Sequence, residues 1–483
     1  MSRKAKIVAT LGPSSQDEAT IRQLIESGVD VVRLNFSHGT HVSHAETIGL
    51  VRKLSRKLHR PIAILQDLQG PKLRVGDLPK PGLQLVAGQS VILTPIETPT
   101  EASLTGSTII PLDVPALAES VHPGNRILMD DGHLEVEVTK VEGTSVHAKV
   151  VLGGLLSAHK GVNLPGTHLN IPGFTEKDEE DLAFGLEQDV DMIAISFVRT
   201  PEDIEHVRQT MTKLCPEKAN TPIIAKLELP EAIENMHAII HAADGVMVAR
   251  GDLGVETSPA AVPIIQKEII KMANRHAKLV ITATQMLDSM IHNPRPTRAE
   301  ASDVANAALD GTDAVMLSGE TASGDYPVES VQMMDAIVCN AEASFAAWGH
   351  ASEFPQSVTR DDAISMTLAA RELAHDRNVA CIAVFTVTGK TALLMSKARP
   401  QVPILAFTPD QRTYQRMSLY WGVLPFLVPH ATTVESMLTI VEQAILSFTE
   451  IQPGAQAVVI ASFPVGTIQP PNLALLHTIR SGH

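Results

Sequence analysis

Three charged residues near the middle of the chain could act on a phosphorylated substrate. Lys226 and Glu228 end the segment PIIAKLE, and Asp252 follows the apolar run Val246–Ala249 in the segment VMVARGDLGVE. Two carboxylates suit a hard cation such as Mg²⁺, which completes its coordination with water and substrate phosphate. A lysine beside them can neutralise a phosphoryl group or a developing oxyanion. An isolated Lys-x-Glu is more often a surface salt bridge, so the surrounding elements decide between the two interpretations.

The elements that must position these residues alternate as a parallel sheet requires. Short apolar runs, typical of buried strands, are followed by amphipathic segments typical of helices. The predicted strands are Lys6–Thr10, Val31–Phe36, Ile62–Leu68, Met192–Val198, Pro222–Leu227, Val246–Ala249, Leu279–Thr284 and Ala314–Leu317. The predicted helices include His41–Leu58, Asp178–Gln188, Pro259–His276, Arg298–Leu309 and Val328–Ala346. The pattern predicts an α/β fold of the (β/α)8 TIM-barrel type.

Polar or charged side chains follow nearly every predicted strand. These residues are Thr10, Asn35, Ser37, Asp67, Ser196, Arg199, Glu228, Asp252, Thr284, Ser318 and Glu320. Because the carboxyl ends of barrel strands meet at one face, where such enzymes carry their active sites, we expect these side chains to converge. The convergence favours an active site over a set of unrelated salt bridges.

Residues 71–171 have a different character and predict a small β-barrel lid domain. Glycine and proline are frequent there, apolar residues alternate with period two, and Asp130-Asp131-Gly132 is a hairpin turn signal. The barrel then occupies residues 1–70 and 172–345. A domain above a phosphate site can exclude water from the reaction, and we favour that role over a decorative insertion.

Residues 346–483 predict a second α/β domain. Its predicted strands are Cys381–Phe385, Pro403–Phe407, Val423–Leu427 and Ala457–Ala461. Hydroxyls, backbone N–H groups and a lysine come together where a helix opens after the first strand, which is typical of an anion site. The residues of this candidate effector phosphate loop are Thr386, Thr388, Gly389, Lys390 and Thr391. Val384 stands where a P-loop needs glycine, so an NTPase P-loop is rejected; a simple helix cap is the alternative.

Composition excludes several classes of protein. The 483 residues are 44% hydrophobic and 19% charged, which indicates ordinary globular domains. A net charge of −15 and only 3% aromatic residues argue against a nucleic-acid partner. The chain shows no signal peptide and no apolar span of membrane length. Its three dispersed cysteines fit a reducing compartment, so we expect a cytoplasmic protein without a membrane partner.

Several long motifs resemble those of the pyruvate kinase family over essentially the whole chain. They are KIVATLGPSS (Lys6–Ser15), VVRLNFSHG (Val31–Gly39), KGVNLPG (Lys160–Gly166), MVARGDLGVE (Met247–Glu256), ITATQMLDSM (Ile281–Met290), PTRAEASDVANAALDG (Pro296–Gly311) and MLSGETASGDYP (Met316–Pro327). The resemblance implies a barrel, a β lid and a C-terminal α/β domain. It implies phosphoryl transfer from phosphoenolpyruvate to ADP, giving pyruvate and ATP, in a homotetramer that a phosphorylated small molecule activates.

The resemblance also implies roles for individual residues. Glu228 and Asp252 would hold Mg²⁺ or Mn²⁺, and Lys226 would neutralise the transferring phosphoryl group and the enolate. Arg33 would clamp the phosphate, as a guanidinium does better than an ammonium. Gly251 and Thr284 would hold the substrate carboxylate, with Thr284 on the route of enolate protonation, together with Ser318 and Glu320. The implied nucleotide contacts are Asn35, His38, Arg74 and Lys160.

One departure from the family pattern concerns a monovalent cation. Many family members hold K⁺ with residues that match Asn35, Ser37, Asp67 and the backbone of Leu68. In those members the segment that begins at the position of Asp67 typically reads Asp-Thr-Lys-Gly-Pro-Glu. In this chain it reads DLQGPK, so Lys72 stands at the position of the family's glutamate. The ammonium of Lys72 could replace K⁺ and repel a second cation. The change resembles the K⁺-independent branch of the family; a Lys72 that points to solvent is the alternative.

Two other classes of function remain open at this point. A Mg²⁺-dependent barrel aldolase or a phosphoenolpyruvate mutase would share the metal carboxylates, but not the lid with Lys160 or the C-terminal domain. A non-catalytic sensor of sugar phosphates would use the Thr386–Thr391 loop and would be favoured by loss of Lys226 or a metal carboxylate, all of which are present. An assay for the formation of pyruvate from phosphoenolpyruvate and ADP distinguishes these two functions from that of a pyruvate kinase.

Overall fold

The computed structural model describes residues 3–71, 73–96, 108–167, 171–349, 354 and 360–480. The first of these segments alternates strands and helices as predicted. Its elements are β1 (Lys6–Thr10), α1 (Glu18–Glu26), β2 (Val31–Asn35), α2 (His41–Leu58) and β3 (Ala63–Asp67). None of the helices in the described ranges is long and apolar enough to cross a membrane.

The lid follows β3 and consists mainly of antiparallel strands. Its elements are β4 (Arg74–Val75), β5 (Leu83–Leu85), β6 (Ser90–Pro95), β7 (Thr108–Asp113), α3 (Leu117–Ser120), β8 (Arg126–Met129), β9 (Leu134–Glu142), β10 (Ser145–Leu152), β11 (Gly154–Leu156) and β12 (Val162–Asn163). Seven strands pair in the order β12-β8-β9-β10-β6-β7-β4. A bridge between Arg74 and Gly161 joins the two ends of this sheet, which makes it barrel-like.

The turn between β8 and β9 confirms the predicted hairpin signal. Asp130, Asp131 and Gly132 all have positive φ angles, of 55°, 54° and 83°. Aspartate and glycine tolerate this left-handed conformation better than most residues. Apolar residues on alternate positions of β9, such as Val136 and Val138, are buried in the core of the lid.

The chain then returns to the barrel. Its elements there are α4 (Glu176–Glu187), β13 (Met192–Ile195), α5 (Pro201–Leu214), β14 (Ile223–Leu227), α6 (Pro230–Glu234), α7 (Met236–Ala242), β15 (Gly245–Ala249), α8 (Arg250–Glu256), α9 (Val262–Arg275), β16 (Leu279–Ala283), α10 (Arg298–Leu309), β17 (Ala314–Leu317), α11 (Gly319–Ala322), α12 (Pro327–Ala343) and α13 (Phe345–Trp348). The strands close in the order β1-β17-β16-β15-β14-β13-β3-β2. The eight parallel strands confirm the predicted TIM barrel.

Side-chain caps explain where several barrel helices begin. Thr40 caps α2 by accepting a hydrogen bond from the N–H of Ser43, and Thr297 caps α10 in the same way through Glu300. In both of these capping boxes the side chains satisfy N–H groups that have no partner inside the helix. At its other end, α2 stops at His59, whose φ of 51° is left-handed. Local sequence therefore sets these helix bounds.

The C-terminal domain is a five-stranded sheet covered by helices. Its elements are α14 (Asp362–Arg377), β18 (Cys381–Phe385), α15 (Lys390–Lys397), β19 (Ile404–Thr408), α16 (Gln411–Arg416), β20 (Val423–Leu427), α17 (Val434–Phe448), β21 (Gln456–Ala461) and β22 (Leu473–Thr478). The order is β20-β19-β18-β21-β22. The sequence predicted four of these strands and missed β22, an antiparallel edge strand with half-buried residues on both faces.

A buried charge cluster joins the C-terminal domain to the amino-terminal end of the barrel. Lys397 of α15 is fully buried, and its Nζ donates to Asp313 and, at 2.8 Å, to Asn274. Arg399 contacts the other oxygen of Asp313 at 2.9 Å and stacks over the ring of Trp421. Because Asp313 directly precedes β17, these contacts lie at the end of the barrel opposite to the predicted active site.

We predict that Lys397→Met lowers the free energy of unfolding by about 3 kcal/mol. This is the lower end of the range for breaking a buried ion pair, since Arg399 still faces Asp313 in the variant. Chemical denaturation followed by circular dichroism measures the change. Lys213→Met, which removes an exposed lysine, is the control and should shift the free energy by less than about 0.5 kcal/mol. Equal stability of the two variants would contradict the prediction.

Candidate active site

Asp67, Arg33 and Lys226 come together at the carboxyl ends of three barrel strands. Asp67 ends β3, where its carboxylate is 1% exposed. Its Oδ2 lies 2.6 Å from Nε of Arg33 on β2, and its Oδ1 lies 3.5 Å from Nζ of Lys226 on β14. Nη1 of Arg33 also donates to the Thr10 hydroxyl at 3.1 Å, which fixes the plane of the guanidinium. The register of the parallel strands thus converts three distant sequence positions into one charge cluster.

The pKa values of Asp67 and Lys226 keep both of these groups charged. Burial alone would raise the pKa of Asp67, but Lys226 and Arg33 outweigh burial and hold it below its usual value. Burial would lower the pKa of Lys226, but the charges of Asp67 and Glu228 raise it above its usual value. A protonated lysine and a guanidinium therefore face this end of the barrel at neutral pH.

Lys226 is held in place by two further contacts. Its Nζ lies 2.7 Å from Oε1 of Glu228 and donates to the hydroxyl of Ser196 at 2.7 Å. Ser196 in turn donates to the carbonyl oxygen of Leu68 at 2.9 Å. Ser196 follows β13, and the sequence marked it as a polar strand end without giving it a role. The structure shows that it fixes the lysine.

Glu228 and Asp252 fit a divalent cation. Burial raises the pKa of Glu228, Lys226 opposes this, and the negative charge of Asp252 raises it further. The pKa of Asp252 is also raised, chiefly by desolvation, although its side chain opens into the cleft. Two carboxylates that line one cleft and have raised pKa values are stabilised by a cation bound in that cleft. The described residues hold no cluster of three or more His, Cys, Asp or Glu side chains suited to a metal, so a cation here would need ligands from substrate and water.

Thr284 and Gly251 lie together on the other side of Asp252. The Thr284 hydroxyl accepts a hydrogen bond from the N–H of Gly251 at 2.8 Å. Thr284 has a φ of 65°, a conformation that a β-branched residue rarely adopts. Arg250 holds this turn, because it donates to the carbonyl oxygens of Ala283 at 3.1 Å and of Thr284 at 2.7 Å. Strain of this kind is commonly found at functional sites.

Glu320 and Ser318 follow β17 next to this turn. Glu320 is 1% exposed and accepts hydrogen bonds from the N–H groups of Leu287 at 3.0 Å and Ser318 at 2.7 Å. Burial raises the pKa of Glu320 despite these bonds. The Ser318 hydroxyl is buried without a hydrogen-bond partner among the described residues. Both groups are therefore available for proton transfer or for an ordered water molecule.

The structure brings most of the residues predicted for the active site around one cleft of about 270 Å³. Those that line it are Arg33, Asn35, Ser37, Asp67, Leu68, Arg74, Lys226, Glu228 and Asp252. Gly251 instead lines a neighbouring cavity of about 660 Å³ between α8, α9 and the lid. Lys160 lies in the lid and pairs with Asp130 at 2.7 Å. Lys72 lies outside the described residues, but Pro71 and Leu73 on either side of it line the cleft.

The sequence did not predict two ways in which the lid reaches the barrel side of the cleft. The side chain of Asn163 donates to Oε1 of Glu256 at the end of α8, at 2.8 Å, and Asp131 from the β8–β9 turn lines the cleft. The turn signal and the segment KGVNLPG were visible in the sequence, but nothing in it indicated that they meet α8.

The candidate effector loop lies far from this cleft, in the C-terminal domain. All of its residues except Gly389 line a separate cavity of about 270 Å³, together with Ser462 and Gln469. Gly389 has a φ of 81°, and its N–H donates to the Thr386 hydroxyl at 3.1 Å. Lys390 is exposed at the start of α15. The loop therefore forms a second, independent pocket.

Comparisons with known proteins agree with this architecture. The model of the pyruvate kinase barrel domain matches residues 2–331, and that of the pyruvate kinase alpha/beta domain matches residues 362–477. The chain is 48% identical to "Pyruvate kinase 2" of Synechocystis sp. over 432 residues, covering 89% of this chain and 71% of the relative. It is 42% identical to the pyruvate kinases of Geobacillus stearothermophilus (486 residues, 99% and 81%) and Mycobacterium tuberculosis (479 residues, 99% of both). The chain belongs to the pyruvate kinase family.

Proposed function

We propose that this chain transfers the phosphoryl group of phosphoenolpyruvate to ADP, with Mg²⁺ as the metal, and gives pyruvate and ATP. Membership of the family makes the chain a phosphotransferase that acts on these two substrates with a divalent cation. The observation that supports the specific chemistry is the cluster of Arg33, Lys226, Glu228 and Asp252 around one cleft. Phosphoryl transfer needs positioned charge more than covalent help from the protein.

Arg33 and Lys226 bind and neutralise the anionic substrate in this proposal. Asp67 fixes Nε of Arg33, and Thr10 fixes Nη1. Nη2 has no hydrogen-bond partner within the described ranges, so it is the atom that binds the phosphate. Lys226, held by Asp67 and Glu228, stabilises the negative charge that develops on the enolate oxygen as the P–O bond breaks. Asn35, His38, Arg74 and Lys160 contact the nucleotide.

Gly251 and Thr284 hold the substrate carboxylate and complete the reaction. On binding, the carboxylate takes over the N–H of Gly251 that otherwise donates to the Thr284 hydroxyl, and it accepts a hydrogen bond from that hydroxyl. Arg250 fixes the turn that carries both groups. The enolate then takes a proton at its methylene carbon through Thr284, with Ser318 and Glu320 supplying the proton route. Glu228 and Asp252 hold Mg²⁺, which offsets the charge of the transferring phosphoryl group when it is bound.

We predict that Lys226→Met lowers kcat roughly 100- to 1,000-fold or more, the scale for loss of one preorganised charge donor. The affinity for phosphoenolpyruvate should change far less. Pyruvate formation from phosphoenolpyruvate and ADP in the presence of Mg²⁺, coupled to its reduction to lactate, measures both quantities. Lys213→Met should match the wild type. A Lys226→Met protein with more than about half of the wild-type kcat would exclude this role, and a wild type that forms no pyruvate would exclude the function.

A phosphorylated metabolite activates the enzyme from the C-terminal pocket in this proposal. Thr386 and Thr391 are 6% exposed and line the pocket beside exposed Lys390. Hydroxyls, N–H groups at the start of α15 and one ammonium are the donors that a phosphate needs. The effector can act only if it binds the active conformation more tightly than the inactive one.

We predict that Lys390→Glu abolishes this activation and leaves the basal rate at saturating substrate intact. The new carboxylate would repel the phosphate of the effector, whereas the active site lies in another domain. Titration of the rate with fructose 1,6-bisphosphate, glucose 6-phosphate, ribose 5-phosphate and AMP measures the effect, with Lys213→Glu as the control for the charge change. Activation of the Lys390→Glu protein at wild-type effector concentrations would place the effector site elsewhere.

The enzyme needs no K⁺ in this proposal. Two of the oxygens that would bind K⁺ already have partners: Oδ2 of Asp67 pairs with Arg33, and the carbonyl oxygen of Leu68 accepts from Ser196. Oδ1 of Asp67 has no hydrogen bond within the described residues and lies 3.5 Å from Lys226. This oxygen is the one to which a monovalent cation would be drawn. From its position in the sequence, Lys72 would supply a positive charge in place of K⁺.

We predict full activity with Mg²⁺ and no K⁺, with tetramethylammonium chloride keeping the ionic strength constant. Lys72→Glu should gain a dependence on K⁺, because the substitution removes one cation and supplies a carboxylate for another. Initial rates at saturating substrates across a K⁺ titration measure both effects. Stimulation of the wild type by several-fold would refute K⁺ independence, and a Lys72→Glu protein indifferent to K⁺ would remove Lys72 from the explanation.

We also propose a cytoplasmic homotetramer. The outer strands β20 and β22 each leave one edge of the C-terminal sheet unpaired within the described chain. Such edges pair readily with another copy of the same strand.

A further inference from the structure

The segment Asn35–His38 carries two of the candidate nucleotide contacts, and helix α4 holds it in place. The N–H of Phe36 donates to the carbonyl oxygen of Asp67 at 2.9 Å. The carbonyl oxygen of Phe36 accepts from Nζ of Lys177 on α4 at 3.3 Å. Both backbone hydrogen-bonding groups of Phe36 are therefore fixed, which limits how far its neighbours Asn35 and Ser37 can move.

The ring of Phe36 adds a second restraint on the same segment. It stacks on the ring of His44, with the ring centroids 4.2 Å apart and an interplanar angle of 14°. It also packs against the ring of Phe184 on α4, with the centroids 6.0 Å apart. Nε2 of His44 donates to the carbonyl oxygen of His38 at 2.9 Å. The segment thus lies between the first turns of α2 and the inner face of α4.

Asp181 joins these contacts into one unit. Its carboxylate is buried, with Oδ1 2.7 Å from Nε2 of His41 on α2 and Oδ2 bonded to Lys177 one turn earlier on α4. Its carbonyl oxygen accepts from the side chain of Gln66 at 2.6 Å. Without Asp181, Lys177 would lose the charge that holds its ammonium over Phe36.

The same turn of α4 also fixes both connections to the lid. Asp178, which is 1% exposed, accepts hydrogen bonds from the N–H of Gly70 at 3.0 Å and from the N–H of Thr175 at 2.9 Å. Gly70 precedes the lid segment and Thr175 follows it. One helical turn therefore contacts the nucleotide segment on one side and the two lid connections on the other.

We propose that Lys177 and Asp181 are positioning residues for ADP: they hold Asn35–His38 in the geometry that binds the nucleotide, beside the lid connections that Asp178 fixes. Neither residue lines the cleft, so both act through the segment. This inference rests on the proposed function, because it takes the nucleotide contacts from it. Loss of either residue weakens the binding of ADP and leaves the phosphoenolpyruvate subsite at Arg33 and Lys226 intact.

The test compares the two Michaelis constants in Lys177→Met and Asp181→Asn. We expect the KM for ADP to rise about 5- to 20-fold, around the lower end of the range for a lost hydrogen bond to a charged group, because both residues act on the nucleotide only through the segment. The KM for phosphoenolpyruvate should stay within about twofold and kcat within about threefold, since a uniform loss of binding raises KM alone. Lys177→Arg should recover most of the affinity for ADP, because its guanidinium can still pair with Asp181 and reach Phe36.

The matched control is Glu26→Gln, which breaks the Arg22–Glu26 pair on the surface of α1. That pair has the same i,i+4 spacing as Lys177 and Asp181 but lies away from the cleft, so both Michaelis constants should equal those of the wild type. If the buried Asp181→Asn variant fails to fold, Lys177→Met carries the test, because the Lys177 side chain is half exposed.

The outcomes separate this inference from the proposed function. An unchanged KM for ADP in Lys177→Met, or a parallel rise in both Michaelis constants, would overturn the positioning role while the wild type still forms pyruvate. Failure of Lys177→Arg to recover ADP affinity would do the same. A wild type without activity on phosphoenolpyruvate and ADP would count against the proposed function instead.

Discussion

The active end of this molecule depends on one buried carboxylate, that of Asp67. A carboxylate with almost no contact with water is stable only if cations and hydrogen-bond donors surround it. Arg33 and Lys226 meet this need, and they can do so only if β2, β3 and β14 keep their register in the closed barrel. The positions of the two cations are thus fixed before any substrate arrives. Lys226 then fixes Glu228, and Ser196 ties the lysine to the backbone of Leu68.

The barrel could be predicted from the sequence because its strands are buried on both faces. Such strands appear as short continuous apolar runs, and each of the eight predicted runs contains the strand that the structure shows, or all but the first residue in the case of β15. The central charges could be predicted as well, since parallel strands bring the residues that follow them to one face. Asp67, Lys226 and Glu228 each stand within one residue of the end of a strand, so the order of the strands places them near one another.

The remaining contacts could not be predicted, because they join segments that follow no common pattern. Asn163 of the lid meets Glu256 of α8 across 93 positions of sequence, and no local signal marks either residue as the partner of the other. Lys177 and Asp181 look like an ordinary charged helix face with i,i+4 spacing. Only the packing of α4 against the segment after β2 shows that they face Phe36 and His41. The strand β22 was missed because both its faces are half-buried, which gives no clear alternation.

The two ends of the barrel use the same combination of residues with opposite results. At the amino-terminal end, Asp313 faces Lys397 and Arg399 in a closed interface, and burial together with the nearby arginine lowers the pKa of Lys397 to about 8. At the carboxyl-terminal end, Asp67 faces Lys226 and Arg33, but Glu228 adds a second acid and the pKa of Lys226 is raised. The first cluster is complete within the protein and joins two domains. The second has three carboxylates, including that of Asp252, beside two cations in an open cleft, a net of one negative charge. A divalent cation bound there leaves a positive charge that an anionic ligand can balance. This difference, rather than the types of residue, makes one cluster structural and the other suited to phosphoryl transfer.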